Sequence, residues 1–196
     1  MSRGRDCQET TLVILAGGAA RRMGQPKHLL PTPWGTTLNV LVGSLGGLFS
    51  EILVVGASPG GPGVRAVADL YPARCPLTGL YSGLAASRTG LNLVVACDMP
   101  LIRPALARLV LAAAGGVDVA VPVIRGHHEP LCAAYRKRAL PVLWAALEEG
   151  DYKITSLYSS LRVARLAERA VRRVDPGLDS FVNLNARASW RQSARG

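Results

Sequence analysis

Thr11-Leu-Val-Ile-Leu15 is an unbroken β-rich run that passes straight into Ala16-Gly17-Gly18. A strand with no polar alternation is buried on both faces, the condition of a strand inside a parallel sheet. Glycines directly after it let the backbone turn tightly and pass close to a neighbour. Such a sheet needs helices on both faces, so the rest of the chain must alternate strand and helix.

It does. An apolar period of three to four runs from Thr36 or Thr37 to about Phe49, with the threonines as N-cap candidates. Glu51 to Gly56 reads as a strand, followed by the Gly/Pro loop Ser58 to Gly63, and Val64 to Ala68 reads as another. Leu77 to Ser87 reads as a helix despite its glycines. Leu91 to Cys97 is the strongest strand of all and stops at Asp98. Pro104 suits the first turn of a helix to about Ala114. Asp118 to Ile124 and Leu131 to Tyr135 read as strands around a polar turn, Arg125 to Pro130. Arg138 to Glu149 and Ile154 to Leu161 read as helices. Weaker strand signals follow near Val163 and Val171, then Phe181-Val-Asn-Leu-Asn185 and a final helix. The expected fold class is α/β, with an open, mostly parallel sheet covered on both faces. We expect a flexible tail over 1–10 and one domain over 11–196, with no linker and no internal repeat.

About half of the residues are apolar but few are aromatic, so the core must be built from Ala, Val and Leu. No apolar run is long enough to span a bilayer, and the polar start lacks a signal-peptide core. The expectation is a soluble cytoplasmic protein with no membrane partner. Cys7, Cys75, Cys97 and Cys132 form no CxxC pair, which argues against structural zinc. The formal net charge of +10 favours anionic partners. Zinc-finger spacing, RNA-binding aromatic strands and lysine runs are missing, so no nucleic-acid partner is expected, and the charge reads equally well as a solvated basic face or as a site for a multiply phosphorylated small ligand.

Ligands of such sheets bind outside the carboxyl ends of the strands. Two of those ends are chemically marked. After Leu15 comes a glycine loop reaching Lys27, whose amides and mobile charge suit phosphate oxygens, with Arg21 or Arg22 as a fork of donors. The loop fits neither the Walker nor the dinucleotide pattern. After Cys97 comes Asp98, a carboxylate where Mg²⁺ is commonly held together with substrate phosphates. Asp69 is a third candidate, able to accept hydrogen bonds from a base edge or a ribose. His28, His127 and His128 have polar neighbours and read as surface or turn histidines.

Five motifs occur in a fixed order. They are Leu15-Ala-Gly-Gly18 continuing through Arg22-Met-Gly24 to Lys27, Pro76-Leu-Thr-Gly-Leu-Tyr-Ser-Gly-Leu84, Cys97-Asp-Met-Pro-Leu101, Pro130-Leu-Cys-Ala-Ala-Tyr-Arg136 and Phe181-Val-Asn-Leu-Asn185. Together, from about Leu12 to Asn185, they resemble the molybdenum cofactor guanylyltransferases of the wider nucleotidyltransferase superfamily. The resemblance implies a Rossmann-like three-layer αβα sandwich of the nucleotide-diphospho-sugar transferase type. It implies transfer of GMP from GTP to the terminal phosphate of molybdopterin, with Mg²⁺, and release of pyrophosphate. Leu15, Ala16, Gly17 and Gly18 would meet the nucleotide, Lys27 its phosphates and Asp69 its nucleoside. Asp98 would hold the metal. Lys27, Asp98 and Arg22 form the implied catalytic set, and Asn183 and Asn185 lie on the pterin side. The setting further implies transient contacts with molybdenum-insertion proteins and acceptor molybdoenzymes.

Four positions depart from the family's pattern. Gly56 stands where members often carry Asn, and Cys75 replaces Gly before Pro76-Leu77. Pro26 precedes the lysine, as in cytidylyl relatives, and Ala186-Arg-Ala188 replaces Thr-Pro-Glu. Gly17-Gly18 favours guanine, since cytidylyl relatives usually show Ala-Ala-Gly there. A cytidylyltransferase, another small-acceptor nucleotidyltransferase and a non-catalytic nucleotide- or RNA-binding domain are the alternatives.

Overall fold

Along the first strand, burial is complete on both sides. Leu12 and Ile14 face one apolar cluster while Val13 and Leu15 face another. That is the side-chain alternation of a strand with helices on both faces. The computed structural model describes residues 9–17, 27–58 and 63–183.

The strands are β1 (Thr10–Leu15), β2 (Pro31–Thr32), β3 (Gly35–Thr36), β4 (Glu51–Val55), β5 (Arg65–Val67), β6 (Leu91–Ala96), β7 (Val119–Ile124), β8 (His127–His128), β9 (Cys132–Arg136) and β10 (Val163–Ala167). The helices are α1 (Thr37–Leu45), α2 (Pro76–Ala86), α3 (Pro104–Ala113), α4 (Leu140–Glu149) and α5 (Glu168–Arg172). The main sheet runs β10-β7-β9-β6-β1-β4-β5, with β8 paired to β7 and a small β2–β3 ribbon apart. All its neighbours are parallel except β9, which runs antiparallel between β6 and β7, and β8, which folds back on β7.

Helices α1 and α3 bury Leu38, Leu41, Leu45, Leu106 and Val110 on one face. Helices α2 and α4 bury Leu77, Leu80, Leu84, Leu143 and Leu147 on the other. This is the expected three-layer sandwich. Its core is Leu, Val, Ile and Ala, with Tyr135 as the largest fully buried side chain. Thr36 caps α1, its hydroxyl accepting from the Asn39 amide at 3.2 Å. Among the described residues no helix is long and apolar enough to cross a membrane.

Two readings of the sequence need correction. The segment around Val171 is the helix α5, not a strand. Val171 is fully buried there, and Arg172 donates to Glu168 at 2.7 Å one turn back. Such i,i+4 pairing supports a helix, and a single apolar residue among arginines carries no period to betray it. The turn after β7 also contains a strand, because Arg125 and Gly126 form a two-residue hairpin loop into His127–His128. The final helix, residues 1–8 of the expected tail and part of the 58–63 loop lie outside the described residues, while Thr10, expected in that tail, is already a buried residue of β1.

Candidate active site

Leu15, Val55 and Ala96 lie in one register across β4, β1 and β6, so these three strands end together. Their exits stay joined beyond the ladder. The Ala16 amide donates to the Val55 carbonyl at 2.9 Å, and the Cys97 amide donates to the Leu15 carbonyl at 3.1 Å. The last residue of β1, which leads into the glycine loop, and the first residue of the Cys97-Asp98 turn are therefore hydrogen-bonded neighbours.

Asp98 is only 7 % exposed. It follows the end of β6 by two residues, in a turn where the Met99 amide donates to the Ala96 carbonyl at 3.2 Å. No cluster of three or more His, Cys, Asp or Glu residues occurs among the described residues. A single carboxylate in this turn would leave most of a metal's shell to other donors. That fits Mg²⁺, which takes one or two carboxylates and completes its shell with water and substrate phosphates.

Gly56 explains one departure from the family's pattern. Its backbone is left-handed (φ 79°), and a Cβ there would lie 2.8 Å from the Gly17 Cα and 2.9 Å from the Gly17 nitrogen. The exit of β4 is thus pressed against the glycine loop.

The second motif reaches the first through α2. A Cβ on Gly83 would lie 2.3 Å from Val13 Cγ1, and one on Gly79 would lie 3.3 Å from Leu15 Cδ2. Those glycines let α2 lie flat on β1, which is why a helix tolerates them. Ser82 on the same helix accepts the Leu70 amide at 2.9 Å and so fixes the chain beside Asp69. Asp69 itself is exposed, two residues past β5 on the same sheet edge. Partial desolvation nonetheless raises the pKa of its carboxyl, against the opposing charge of Arg74. A cavity of about 210 Å³ opens at the start of α2, lined by Pro76, Leu131, Tyr152 and Lys153 among others.

His28 is a turn histidine, one of the two expectations for it, and it is not fully exposed. It lies half-buried in the short 3₁₀ turn Lys27–Leu29, with its Nδ1 buried and unpartnered. Burial lowers its pKa, and a hydrogen bond to the Ala16 backbone partly offsets this. Its position directly after the motif lysine was the available signal. His127 is exposed, and His128 packs edge-on against Tyr158 with ring centroids 5.2 Å apart. Cys97 and Cys132 are buried, as their apolar surroundings imply.

The structure brings Leu15, Ala16, Gly17, Asp98 and Asp69 to one sheet edge. Asn183 is exposed just past the turn Asp179–Phe181. Of Lys27 the backbone alone is described. Gly18, Arg21, Arg22 and Asn185 lie outside the described residues.

The sequence also hides Asp175, which is completely buried. Its carboxylate accepts the amides of Asp179 (3.1 Å) and Ser180 (2.9 Å) and meets Arg103 Nε at 3.1 Å. This ties the 175–181 segment to the loop that follows Asp98. A lone Asp before Pro176-Gly177 looks like an ordinary turn residue.

Comparison with known proteins agrees with this geometry. The MobA-like NTP transferase domain matches residues 12–182. The chain is 36 % identical over 180 residues to a probable molybdenum cofactor guanylyltransferase of Pelotomaculum thermopropionicum, covering 90 % of this chain and 88 % of that one. It is 33 % identical over 186 residues to the molybdenum cofactor guanylyltransferase of Desulfosudis oleivorans, covering 90 % of each. The fold is similar to that of molybdopterin-guanine dinucleotide biosynthesis protein A from Archaeoglobus fulgidus (TM-score 0.80, 22 % identity, 93 % of this chain and 96 % of that one). It is also similar to 2-C-methyl-D-erythritol 4-phosphate cytidylyltransferase from Thermus thermophilus (TM-score 0.65, 20 % identity, 82 % and 89 %). A strand-end glycine loop bonded to an Asp-bearing turn, with matches of this length on both sequence and fold, places the chain in the MobA-like NTP transferase domain family.

Proposed function

We propose that the chain transfers GMP from GTP to the terminal phosphate of molybdopterin. An acceptor phosphate oxygen forms the new bond to the α-phosphorus, the bond from that phosphorus to the bridging oxygen breaks, and pyrophosphate leaves. The observation that carries this reading is the 3.1 Å bond from the Cys97 amide to the Leu15 carbonyl. It holds the exit of β1, which leads into the glycine loop, beside the turn that bears the buried Asp98. The molybdenum cofactor guanylyltransferases to which the chain is similar support guanine as the base.

The acceptor is already an anion, so no side chain need be acylated or phosphorylated. The barrier lies in charge repulsion and alignment, and the protein supplies positioning and electrostatics. The backbones of Leu15, Ala16, Gly17 and Gly18 would seat the nucleotide. Lys27 and Arg22 would stabilise charge on the departing pyrophosphate, and Asp69 would accept from the nucleoside. Asn183 and Asn185 would face the acceptor. Asp98 would hold Mg²⁺, which when bound withdraws charge from the phosphate oxygens. Asp98's burial strengthens every such interaction by excluding water.

The test is pyrophosphate release with GTP, CTP or UTP, each with molybdopterin, with and without Mg²⁺. GTP alone should support turnover, and chelation should abolish it. Preference for CTP would overturn the guanylyl assignment. Salt-sensitive RNA binding without nucleotide affinity would overturn the enzyme reading altogether.

A further inference from the structure

Three hydrogen bonds fix the chain where it leaves β1. The Ala16 amide donates to the Val55 carbonyl at 2.9 Å, which ties it to the exit of β4. The Leu15 carbonyl accepts from the Cys97 amide at 3.1 Å, which ties it to the turn that bears Asp98. The third bond comes from a side chain, for the His28 imidazole is hydrogen-bonded to the Ala16 backbone.

Elimination identifies the atoms of that third bond. The Ala16 amide is taken by Val55, so the ring meets the Ala16 carbonyl and must be the donor. Nδ1 is buried without a partner, so Nε2 carries the proton. Burial favours the same neutral tautomer, because it disfavours the imidazolium.

A carbonyl held in place also holds the amide that follows it. The peptide unit is planar and trans, so the Ala16 C=O and the Gly17 N–H point in opposite directions from one rigid plane. The next residue is glycine, whose backbone resists rotation of that plane least. Gly17 is exposed at the carboxyl edge of the sheet. With His28 on the carbonyl, the Gly17 N–H is presented in one direction, away from the imidazole.

The same bond acts on the segment that carries the imidazole. His28 is the middle residue of the 3₁₀ turn Lys27–Leu29. Just past that turn the Leu30 carbonyl accepts from the Thr37 amide at 3.0 Å, where α1 begins. The turn is therefore held between Ala16 and α1, and the Lys27 backbone lies one residue from the bond.

We propose that His28 is a positioning residue for the nucleotide. Through the Ala16 carbonyl its imidazole orients the Gly17 amide and holds the Lys27–Leu29 turn against the end of β1. In this role it touches neither the nucleotide nor a metal. The role rests on the reading of this sheet edge as the GTP site.

Three variants test it. His28→Ala removes the donor, and His28→Leu fills the half-buried space without one. His28→Gln supplies an amide N–H of similar reach. Without the bond, orientations that misdirect the Gly17 amide become populated, and the apparent affinity falls with the competent fraction. The Kd for GTP with Mg²⁺, taken below each variant's melting transition, should rise about tenfold in His28→Ala and His28→Leu. In His28→Gln it should stay within about twofold of the parent value, and so should the KM for molybdopterin in every variant. Unchanged GTP affinity in the two donor-less variants would overturn the proposal. So would an equal loss in His28→Gln, or a parallel rise in the molybdopterin KM, which marks general damage to the edge. If the parent protein binds GTP but releases no pyrophosphate with molybdopterin, and only the donor-less variants lose affinity, the transfer reading fails while the role of His28 stands.

Discussion

The backbones of Gly56 and Gly17 lie so close that a Cβ on Gly56 would come within 2.8 Å of the Gly17 Cα. Two chain segments 39 positions apart thus shape one surface at the carboxyl ends of β1 and β4. Gly56→Ala must either move the glycine loop or abandon the left-handed backbone. We expect a loss of stability of roughly 2 kcal/mol and a raised KM for GTP. Gly56→Asn, which installs the residue common in the family, should be little better, because the clash comes from the Cβ. Normal GTP affinity in both variants would show that the loop is not held by this contact.

Asp98→Asn keeps the shape of the turn and removes its charge. Turnover should fall on the order of 10²-fold or more, with the fold intact by circular dichroism. Near-normal pyrophosphate release would remove Asp98 from the site.

Gly83→Ala should destabilise by roughly 1–3 kcal/mol, since its Cβ would lie 2.3 Å from Val13 Cγ1 in a core with little freedom to yield. Chemical denaturation would measure this. Gly43, on α1, faces open space, with no atom within 4 Å of where a Cβ would stand, so Gly43→Ala is the matched control and should be neutral or stabilising.

Burial lowers the pKa of His28 when the chain is folded, with the Ala16 bond only partly opposing it. Unfolded, a histidine takes up its proton near pH 6.5. Above that pH the residue is neutral in both states and contributes no slope. Below it the unfolded chain binds more protons, so stability falls as pH drops from 6.5 toward the lowered value. Melting curves between pH 7.5 and 5.5 should show a steeper fall for the parent than for His28→Asn. Equal slopes would mean that the histidine does not titrate differently on folding.

Asp118 anchors the far side of the sheet. Burial would raise its pKa, but the Arg162 amide at 2.8 Å and the Arg162 and Arg138 guanidiniums outweigh this and bring it down to about 2. Its contribution is complete above the unfolded value near 3.9 and is lost as pH falls through about 2. Asp118→Asn should be less stable than the parent at pH 7, and the difference should shrink in acid-denaturation curves between pH 4 and 2.

Much of the architecture was legible because the determining signals are local. Thr10–Leu15, Leu91–Ala96 and Pro104–Ala113 carry strong apolar runs or periods bounded by Gly, Asp or Pro, and each forms within one or two residues of its expected bounds. Around Val171 the apolar signal is one residue long and the helix depends on a Glu168–Arg172 pair. His28 reads as a surface or turn residue because its neighbours are polar, yet it is the fold that brings it back to the Ala16 backbone.

The sequence by itself determined the strand–glycine junction at Leu15, the carboxylate after the strongest strand and the family to which both belong. Those are properties of contiguous residues, set by periodicity and backbone freedom. Only the tertiary structure decided that Gly17 rests on Gly56, that Ser82 fixes the chain beside Asp69 and that Arg103 meets Asp175. Each of those joins residues distant along the chain. The parallel sheet brings them together, because its crossovers deliver every parallel strand's carboxyl end to one edge.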